Sequence, residues 1–240
     1  MPYQFGGRIR YSEVDERRHL TLPGIVDYFQ DCSTFQSEKL GVGLDEMQKR
    51  KRAWILAYWE IEVRRFPVLG EEITTETWPC AFGGFMGQRN FRMKDENGET
   101  LACANSIWVF MDTERGKIAK IDQDILNAYV MEDALPMGNA GRKVMVPQES
   151  EDQESFVVMR CHLDTNHHVN NGQYILMAEE YLPEYFEVKR VRAEYRKSAV
   201  LHDIIVPVAA VTDSKCTVAL CDTDHKPYAI IEFSGEQRTK

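Results

Sequence analysis

The chain has 240 residues, of which 43% are hydrophobic, so it can bury a core, and wholesale disorder is excluded. Its formal net charge is −9, and without a basic stripe interleaved with aromatic residues, nucleic-acid binding is not expected. The apolar runs are too short for a membrane span, and residues 1–5 lack the basic-then-apolar pattern of a secretory signal, so we expect a cytoplasmic protein.

The N-terminal part of the chain predicts one helix followed by antiparallel strands. Apolar residues recur near helical spacing from Ile25 to Phe35. Strands are expected over residues 74–78, 88–93 and 101–110, with a hairpin turn at Asp95-Glu96-Asn97-Gly98.

A connector is predicted over residues 122–154. Residues 121–154 carry 8 acidic and 2 basic residues, a net of −6, so most of the charge of the chain lies there. Four turn-forming residues interrupt it, which are Pro136, Gly138, Gly141 and Pro147.

The C-terminal part repeats the order of the first. Placing Asp15 over Asp164 brings His19 over His168, and a helix from Tyr174 to Pro183 follows. Strands are expected over residues 204–212, 217–220 and 228–233. A second match places Glu62-Val63-Arg64-Arg65 over Glu194-Tyr195-Arg196-Lys197. The first copy then holds 17 more residues (62 − 15 = 47 against 194 − 164 = 30), which we place in residues 37–52.

Each copy therefore predicts a long helix wrapped by a curved antiparallel sheet, in the α+β class. Two such copies form a tandem, or double, hotdog arrangement. We expect an N-terminal hotdog over residues 1–121, the connector over 122–154 and a C-terminal hotdog over 155–240. Tandem hotdogs favour a monomer that is an intramolecular pseudo-dimer, with a homodimer as the alternative. The six scattered cysteines, without a C-x-x-C pair, predict reduced thiols.

Polar residues alternate just ahead of the second helix, at Asp164, Asn166 and His168. In extended backbone they would share one face and converge. Such a set suits attack on a carbonyl: Asp164 activates water or attacks directly, His168 shares the water or orients Asp164, and Asn166 donates to the developing oxyanion or holds the nucleophile. Backbone N–H groups near Asn171 and Gly172, at the helix start, would point at the same carbonyl.

Structural readings compete with these roles. Asp164 and Asn170 are both good N-cap types, so part of the motif is explained by a helix start alone. We expect His167 to point away from the shared face. His162, His167 and His168 lack the carboxylates or cysteines of a metal site, so no metal and no cofactor is predicted.

The run Asp164-x-Asn166-x-His168-Val169-Asn170-Asn171-x-x-Tyr174 resembles the active-site motif of the acyl-ACP thioesterases. Residues 194–197 resemble a strand of that family's second domain, and residues 10–15, 108–112 and 117–121 resemble parts of its first. The resemblance implies hydrolysis of fatty acyl-[acyl-carrier-protein] to free fatty acid, which ends chain elongation in fatty acid biosynthesis. The implied partner is a carrier protein bearing a phosphopantetheine-linked acyl chain.

One departure from the family leaves a supporting role open. Members commonly carry Glu, often followed by Cys, where this chain has Ser198 and Ala199. Ser198 takes part of that role, Glu194 does, or Asp164 with His168 suffices. The first copy has Arg17 in place of the amide, so we interpret it as a decayed site that shapes the acyl tunnel.

Basic residues cluster on a predicted strand, at Arg190, Arg192, Arg196 and Lys197. They are a candidate dock for an acidic carrier protein, and an ordinary solvated strand face explains them equally well. Three rival functions also stay open: an acyl-CoA thioesterase of the hotdog superfamily, a hotdog dehydratase of 3-hydroxyacyl thioesters, and a non-catalytic fatty-acyl binding module.

Overall fold

The computed structural model describes residues 1–138, 141–184 and 186–237. The chain forms two compact units. The N-terminal unit comprises Met1–Ala57 and Val63–Asn139, and the C-terminal unit comprises Tyr58–Glu62 and Ala140–Lys240.

The N-terminal unit is an antiparallel sheet with helices. Its elements, in chain order, are β1 (Tyr3–Arg8), α1 (Leu22–Lys39), α2 (Leu44–Lys49), β2 (Arg52–Val63), β3 (Glu72–Gly83), β4 (Met86–Asp95), β5 (Thr100–Asp112), β6 (Lys117–Ile118) and α3 (Gln123–Ala128). The strand order is β1-β3-β4-β5-β2, and β6 pairs with β5. The three strands predicted for this part are confirmed as β3, β4 and β5, each longer than expected.

Helix α1 begins with a side-chain cap and buries one face. Thr21 Oγ1 accepts a hydrogen bond from the Gly24 N–H at 3.1 Å, which satisfies one of the amides left free at a helix start. Its buried face includes Ile25, Phe29 and Cys32. This face packs on β3 and β1, so the helix covers the apolar side of the sheet as predicted.

The C-terminal unit repeats this plan with a shorter helix. Its elements are β7 (Glu151–Asp152), β8 (Phe156–Val157), α4 (Asn171–Glu179), β9 (Phe186–Tyr195), β10 (Ile204–Val211), β11 (Lys215–Cys221) and β12 (Pro227–Gln237). Residues Tyr58–Glu62 of β2 pair with β9, and the strand order continues as β9-β12-β11-β10-β7, with β8 also paired to β10. Helix α4 packs on β11 and β12. The three strands predicted here are confirmed as β10, β11 and β12.

Helix α4 is half as long as helix α1. Helix α1 has 18 residues and α4 has 9, and in the repeat alignment the end of α4 falls at Gln30, in the middle of α1. The extra residues of the first copy therefore begin earlier than residues 37–52. They extend α1 and then form α2.

The segment predicted as a connector is held by polar side chains in each unit. In the N-terminal unit, Trp78 Nε1 donates to the Asp133 carbonyl at 2.9 Å, and the Leu135 N–H donates to an Asn90 side-chain oxygen at 3.0 Å. In the C-terminal unit, the Val144 N–H donates to Glu194 Oε2 at 2.8 Å. Residues 133–135 and Val144 are thus each held by specific hydrogen bonds within their own unit.

All six cysteines are free thiols, and four of them are buried. Across the described ranges, no helix has both the length and the apolar character that a membrane crossing requires.

A half-buried carboxyl group lies at the end of α4. Burial, followed by the charge of Glu180, raises the pKa of Glu179 from 4.5 to about 8. Between these values the unfolded chain has released a proton that the folded chain retains. Folding stability contributed by this group therefore falls as the pH rises from about 4.5 to about 8.

We expect Glu179→Gln to raise the thermal unfolding midpoint relative to the parent chain at pH 8, and to give no such gain at pH 4. The reason is that the amide cannot ionise in its half-buried position. Glu184→Gln, at an exposed position, is the matched control and should leave both midpoints unchanged. An equal gain from Glu179→Gln at both pH values would contradict this account.

Candidate active site

The residues singled out by the sequence lie in one tight turn ahead of α4. Asp164 Oδ1 accepts hydrogen bonds from the N–H groups of Asn166 at 2.8 Å and His168 at 3.2 Å. The Asp164 N–H donates to the His168 carbonyl at 2.7 Å, which closes the turn. A single carboxylate oxygen therefore fixes the backbone of all three candidate residues.

The expected extended backbone at this motif is wrong. The His167 N–H donates to the Asp164 carbonyl at 3.1 Å, and His167 has φ 61°, in the left-handed region. Hydrogen bonds from an Asp side chain to nearby backbone amides compete with strand geometry, and at Asp164 they stabilise a turn in place of a strand. Alternation at positions 164, 166 and 168 thus reflects the spacing of two amides around one oxygen.

Neighbouring segments anchor the turn. His168 forms an antiparallel bridge with Val200, and the Val169 N–H donates to the Ala199 carbonyl at 3.0 Å. Asn170 Oδ1 then accepts from the Gly172 N–H at 2.8 Å and is the N-cap of α4. The N-cap interpretation is therefore confirmed for Asn170, while Asp164 caps the turn instead.

The three side chains are close in sequence and are not bonded to one another. Within residues 141–184 and 186–237, no hydrogen bond joins the side chains of Asp164, Asn166 and His168, and Asp164 Oδ2 has no partner. Asn166 is exposed, and His168 and Asp164 are half-buried. One carboxylate oxygen thus holds the turn, and the second is free to meet a water molecule or a substrate.

The start of α4 offers one amide rather than two. The Gly172 N–H is bound to the cap, so its expected role as a donor to the substrate carbonyl is contradicted. The Asn171 N–H, by contrast, has no acceptor among the residues that the structure describes. It is one of the amides that the first turn of a helix leaves without an intrahelical acceptor.

Two tyrosines that the sequence analysis did not assign to the site support the turn. The Tyr174 hydroxyl accepts a hydrogen bond from the Ala199 N–H at 2.8 Å, and the Tyr195 hydroxyl donates to the Asn171 carbonyl at 2.9 Å. Their rings meet edge to face at 5.9 Å. Burial above all, with the carboxylates of Asp203 and Asp164 adding to it, raises the pKa of Tyr174 to about 12, so it is a neutral phenol at physiological pH.

A third tyrosine holds the segment on the other side of Ala199. The Tyr228 hydroxyl donates to Asp203 Oδ2 at 3.0 Å, and the same oxygen accepts from the Val200 N–H at 3.0 Å. The repeat alignment could have identified Asp203, because Glu71 occupies its place in the first copy and accepts from the Val68 N–H at 2.8 Å.

The two candidates for the supporting role have different surroundings. Glu194 Oε1 accepts from Arg196 at 3.1 Å and its Oε2 accepts from the Val144 N–H, so both of its oxygens are engaged. Ser198 is exposed and next to Ala199, whose backbone anchors the turn. Of the two, only Ser198 has a side chain without a described hydrogen-bond partner.

The four cations of the predicted basic dock all form ion pairs within the chain. Arg192 is only 8% exposed and donates to Glu232 at 3.0 Å, to Tyr58 and to two carbonyls of the connector. The other three cations pair with single carboxylates, namely Arg190 with Glu60, Arg196 with Glu194 and Lys197 with Asp222. The solvated strand face expected here is therefore wrong for Arg192, because the connector and neighbouring strands cover it.

The N-terminal unit contains the same turn, which confirms the repeat. Asp15 Oδ1 accepts from the N–H groups of Arg17 at 2.9 Å and His19 at 2.8 Å, and Arg18 has φ 64°. His19 bridges to Val68 as His168 bridges to Val200. Two hairpin turns, at Asp95 and Asp222, use one aspartate oxygen in the same way. The backbone geometry is therefore a folding device that both copies share, and the copies differ in the residue types that it carries.

Over the described parts of the chain, no group of three or more His, Cys, Asp or Glu residues is arranged to hold a metal ion. His162 has a local task, because its Nδ1 accepts from the Met159 N–H at 3.0 Å.

Comparisons with protein families match both halves of the chain. The family model described as the acyl-ACP thioesterase N-terminal domain matches residues 3–129, and the one described as the acyl-ACP thioesterase C-terminal domain matches residues 146–235. The second match contains the Asp164–His168 turn.

Curated relatives and a solved structure agree with this match. Over 225 residues the chain is 25% identical to the oleoyl-acyl carrier protein thioesterase 1, chloroplastic, of Arabidopsis thaliana, which covers 85% of this chain and 62% of that protein. It is 26% identical over 223 residues to the acyl-[acyl-carrier-protein] hydrolase FATB2, chloroplastic, of Cuphea viscosissima, covering 86% and 54%. The chain thus spans little more than half the length of these relatives.

The fold matches the crystal structure of an oleoyl thioesterase (putative) from Lactobacillus plantarum. The TM-score is 0.89 at 21% identity, covering 100% of this chain and 98% of that one. This likeness confirms the predicted tandem hotdog class.

The two equivalent turns make a matched stability test. We expect Asp164→Ala and Asp15→Ala each to lower the free energy of unfolding by about 1–2 kcal/mol, because each leaves two backbone amides without their acceptor. Asp164→Asn and Asp15→Asn keep an acceptor oxygen and should cost less. Denaturant unfolding of the four variants checks this, and an Ala variant as stable as the parent chain would disprove the turn-holding role at that position.

Proposed function

Because the chain belongs to the acyl-ACP thioesterase family, we propose that it hydrolyses the thioester of a fatty acyl chain carried on acyl carrier protein. The products are free fatty acid and carrier protein, and the reaction ends chain elongation in fatty acid biosynthesis. The observation that carries the proposal is the family match over both units, with Asp164, Asn166 and His168 in one turn within the second match.

In the proposed reaction, Asp164 Oδ2 accepts a proton from water as the water oxygen attacks the acyl carbonyl carbon. The carbonyl electron pair moves to oxygen. When it returns, the carbon–sulfur bond breaks, and the carrier thiol leaves with the proton. Thiolate is a good leaving group, so a strong general acid is not required.

The division of labour between the two Asp164 oxygens supports this role. Oδ1 is engaged by the amides of Asn166 and His168, which restrains the carboxylate, and Oδ2 has no described partner. Direct attack of Oδ2 on the carbonyl carbon, through an anhydride that water then hydrolyses, uses the same restraint.

The remaining roles are those of orientation and charge stabilisation. His168 shares the attacking water or orients the carboxylate, and Asn166 donates from its side-chain amide to the developing oxyanion. The Asn171 N–H is the backbone donor at the start of α4. We propose that Asp164 with His168 suffices for water activation, with Ser198 as a secondary polar contact, because both Glu194 oxygens are occupied elsewhere.

Further parts of the prediction depend on this function. The N-terminal unit, with Arg17 where the second turn has Asn166, shapes the acyl tunnel in the proposed scheme. The cytoplasmic location and the pseudo-dimeric monomer, with homodimer as the alternative, stay predictions from the sequence.

Activity of turn variants tests the proposal. On acyl-ACPs of graded chain length, we expect Asp164→Asn to abolish nearly all thiol release, because the amide cannot accept a proton from water while the turn hydrogen bonds are retained. His168→Ala and Asn166→Ala should each lose at least roughly 100-fold, as is typical when an acid–base or oxyanion group is removed. Asp15→Asn is the matched control and should retain parental activity. Full activity in Asp164→Asn, or loss in Asp15→Asn, would place the chemistry elsewhere.

The nearest rival is an acyl-CoA thioesterase, which would use the same carboxylate. Steady-state kcat/KM values on matched acyl-ACP and acyl-CoA separate the two, and we expect acyl-ACP to be preferred. A clear preference for acyl-CoA would replace the proposed substrate while retaining the proposed chemistry. Acyl binding without hydrolysis at any chain length would instead indicate a binding module.

A further inference from the structure

Four exposed apolar side chains lie beside the candidate turn in the C-terminal unit. We call them the apolar patch, and they are Val157 (47% exposed), Met159 (57%), Val200 (43%) and Ile204 (43%). Large apolar side chains grouped at a surface, beyond the scattered ones of any protein, indicate an interaction site.

Strand register places the patch residues on one side. Val157 lies directly opposite Ile204 in the antiparallel pairing of β8 and β10, and opposed residues project to the same face. Their neighbours Val158 and Ile205 are fully buried, so the opposite face points into the core. Met159, two residues beyond Val157 in extended backbone, continues the outward side.

The patch continues to the candidate active site. Val200 is opposed to His168 in an antiparallel bridge, so these two side chains project to a common face. The His202 N–H donates to the Val158 carbonyl at 3.0 Å and the Val158 N–H donates to the Asp203 carbonyl at 2.9 Å. These bonds hold the Val200–Ile204 segment against the strand that carries Val157.

Three of the four equivalent positions in the N-terminal unit are charged. The repeat alignment places Arg8 over Val157 and Glu72 over Ile204, and Arg8 is directly opposite Glu72 in the pairing of β1 and β3. Arg8 and Glu72 form an ion pair, and Arg10 occupies the place of Met159. Val68 takes the place of Val200 and is likewise apolar and exposed, so the two units differ at the other three positions, which are apolar only in the unit with the complete Asp-x-Asn-x-His motif. Folding alone does not require that surface to be apolar.

Basic residues flank the patch in a chain of net charge −9. Residues 155–163 and 195–202 contain Arg160, Arg196 and Lys197 and no acidic residue. The acidic residues that adjoin these ranges include the exposed Glu154, and also Asp203, whose side chain is bound by the Val200 N–H and the Tyr228 hydroxyl. Arg196 and Lys197 have carboxylate partners, whereas Arg160 is exposed and has none in the part of the chain that the structure describes. An apolar surface with the unpaired cation of Arg160 on its margin is complementary to an acidic protein with an apolar contact face.

We propose that the apolar patch, with Arg160 on its margin, is the docking surface for the acidic carrier protein that delivers the acyl chain to Asp164 and His168. The choice of carrier protein as the partner rests on the proposed function. The location replaces the strand cluster around Arg192, whose cations are engaged internally.

The test transplants the charged pair of the N-terminal unit into the patch. Val157→Arg with Ile204→Glu leaves net charge unchanged, and its matched control is the reverse exchange, Arg8→Val with Glu72→Ile. Two quantities are measured in the full chain: equilibrium binding of holo-carrier protein, and the ratio of kcat/KM on acyl-ACP to kcat/KM on the matched acyl-pantetheine. We expect the patch variant to lose at least roughly tenfold in both, as for the loss of a central interface contact, and the control to lose neither.

A milder variant guards against misfolding. Arg160→Glu, at an exposed position, should weaken holo-carrier binding and reduce its salt dependence, because it removes an attractive charge at the margin. Unchanged carrier binding in both the Val157→Arg/Ile204→Glu variant and the Arg160→Glu variant would overturn the proposal. So would losses on acyl-pantetheine as large as those on acyl-ACP, or sedimentation showing that the patch variant dissociates a dimer, which would make a second copy the occupant.

The outcomes separate the dock from the reaction. If the parent chain hydrolyses no thioester and yet binds holo-carrier protein through the patch, the proposed reaction fails and the docking surface stands. If it hydrolyses acyl-ACP with unchanged kinetics in the patch variants, the reaction stands and the dock fails.

Discussion

One aspartate oxygen that accepts two backbone amides is the interaction on which the site depends. It occurs at Asp15, Asp95, Asp164 and Asp222, each time binding the N–H groups two and four residues ahead. At Asp15 and Asp164 the closed turn leads straight to the cap of a helix and to a bridge with a neighbouring segment. Because side chain and backbone are tied together there, the position of the carboxylate follows from the fold.

This constraint explains how a turn can hold the three candidate residues in place without bonds between their side chains. Asp164 is restrained through Oδ1, while Asn166 and His168 are restrained through their own amides. The tyrosine hydroxyls then fix the two backbone segments on either side, through Ala199 and Asn171. The groups proposed to act in catalysis are therefore those that the turn does not use, namely Asp164 Oδ2 and the side chains of Asn166 and His168.

The strands, the hairpin at Asp95 and the repeat were predictable, because they depend on local patterns and on spacing that each copy preserves. The backbone at residues 164–168 was not, since a period of two fits both a strand and an aspartate turn. The burial of Arg192 depends on Glu232 and on carbonyls at Gly141 and Lys143, which no local pattern brings together. The support from Tyr195 likewise comes from a strand distant in sequence. The convergence of the three candidate side chains stays a prediction.

The duplicated turn shows which features of the motif serve folding, because those features occur in both copies. Asp and His persist at 15 and 19 as at 164 and 168, while the middle position is Arg17 in one and Asn166 in the other. A survey of genomes that counted paired aspartate–histidine signatures would score this chain twice. The turn uses the side chain of the aspartate and only the backbone of the histidine, so architecture alone accounts for the aspartate in both copies, and such a count would not separate folding from chemistry.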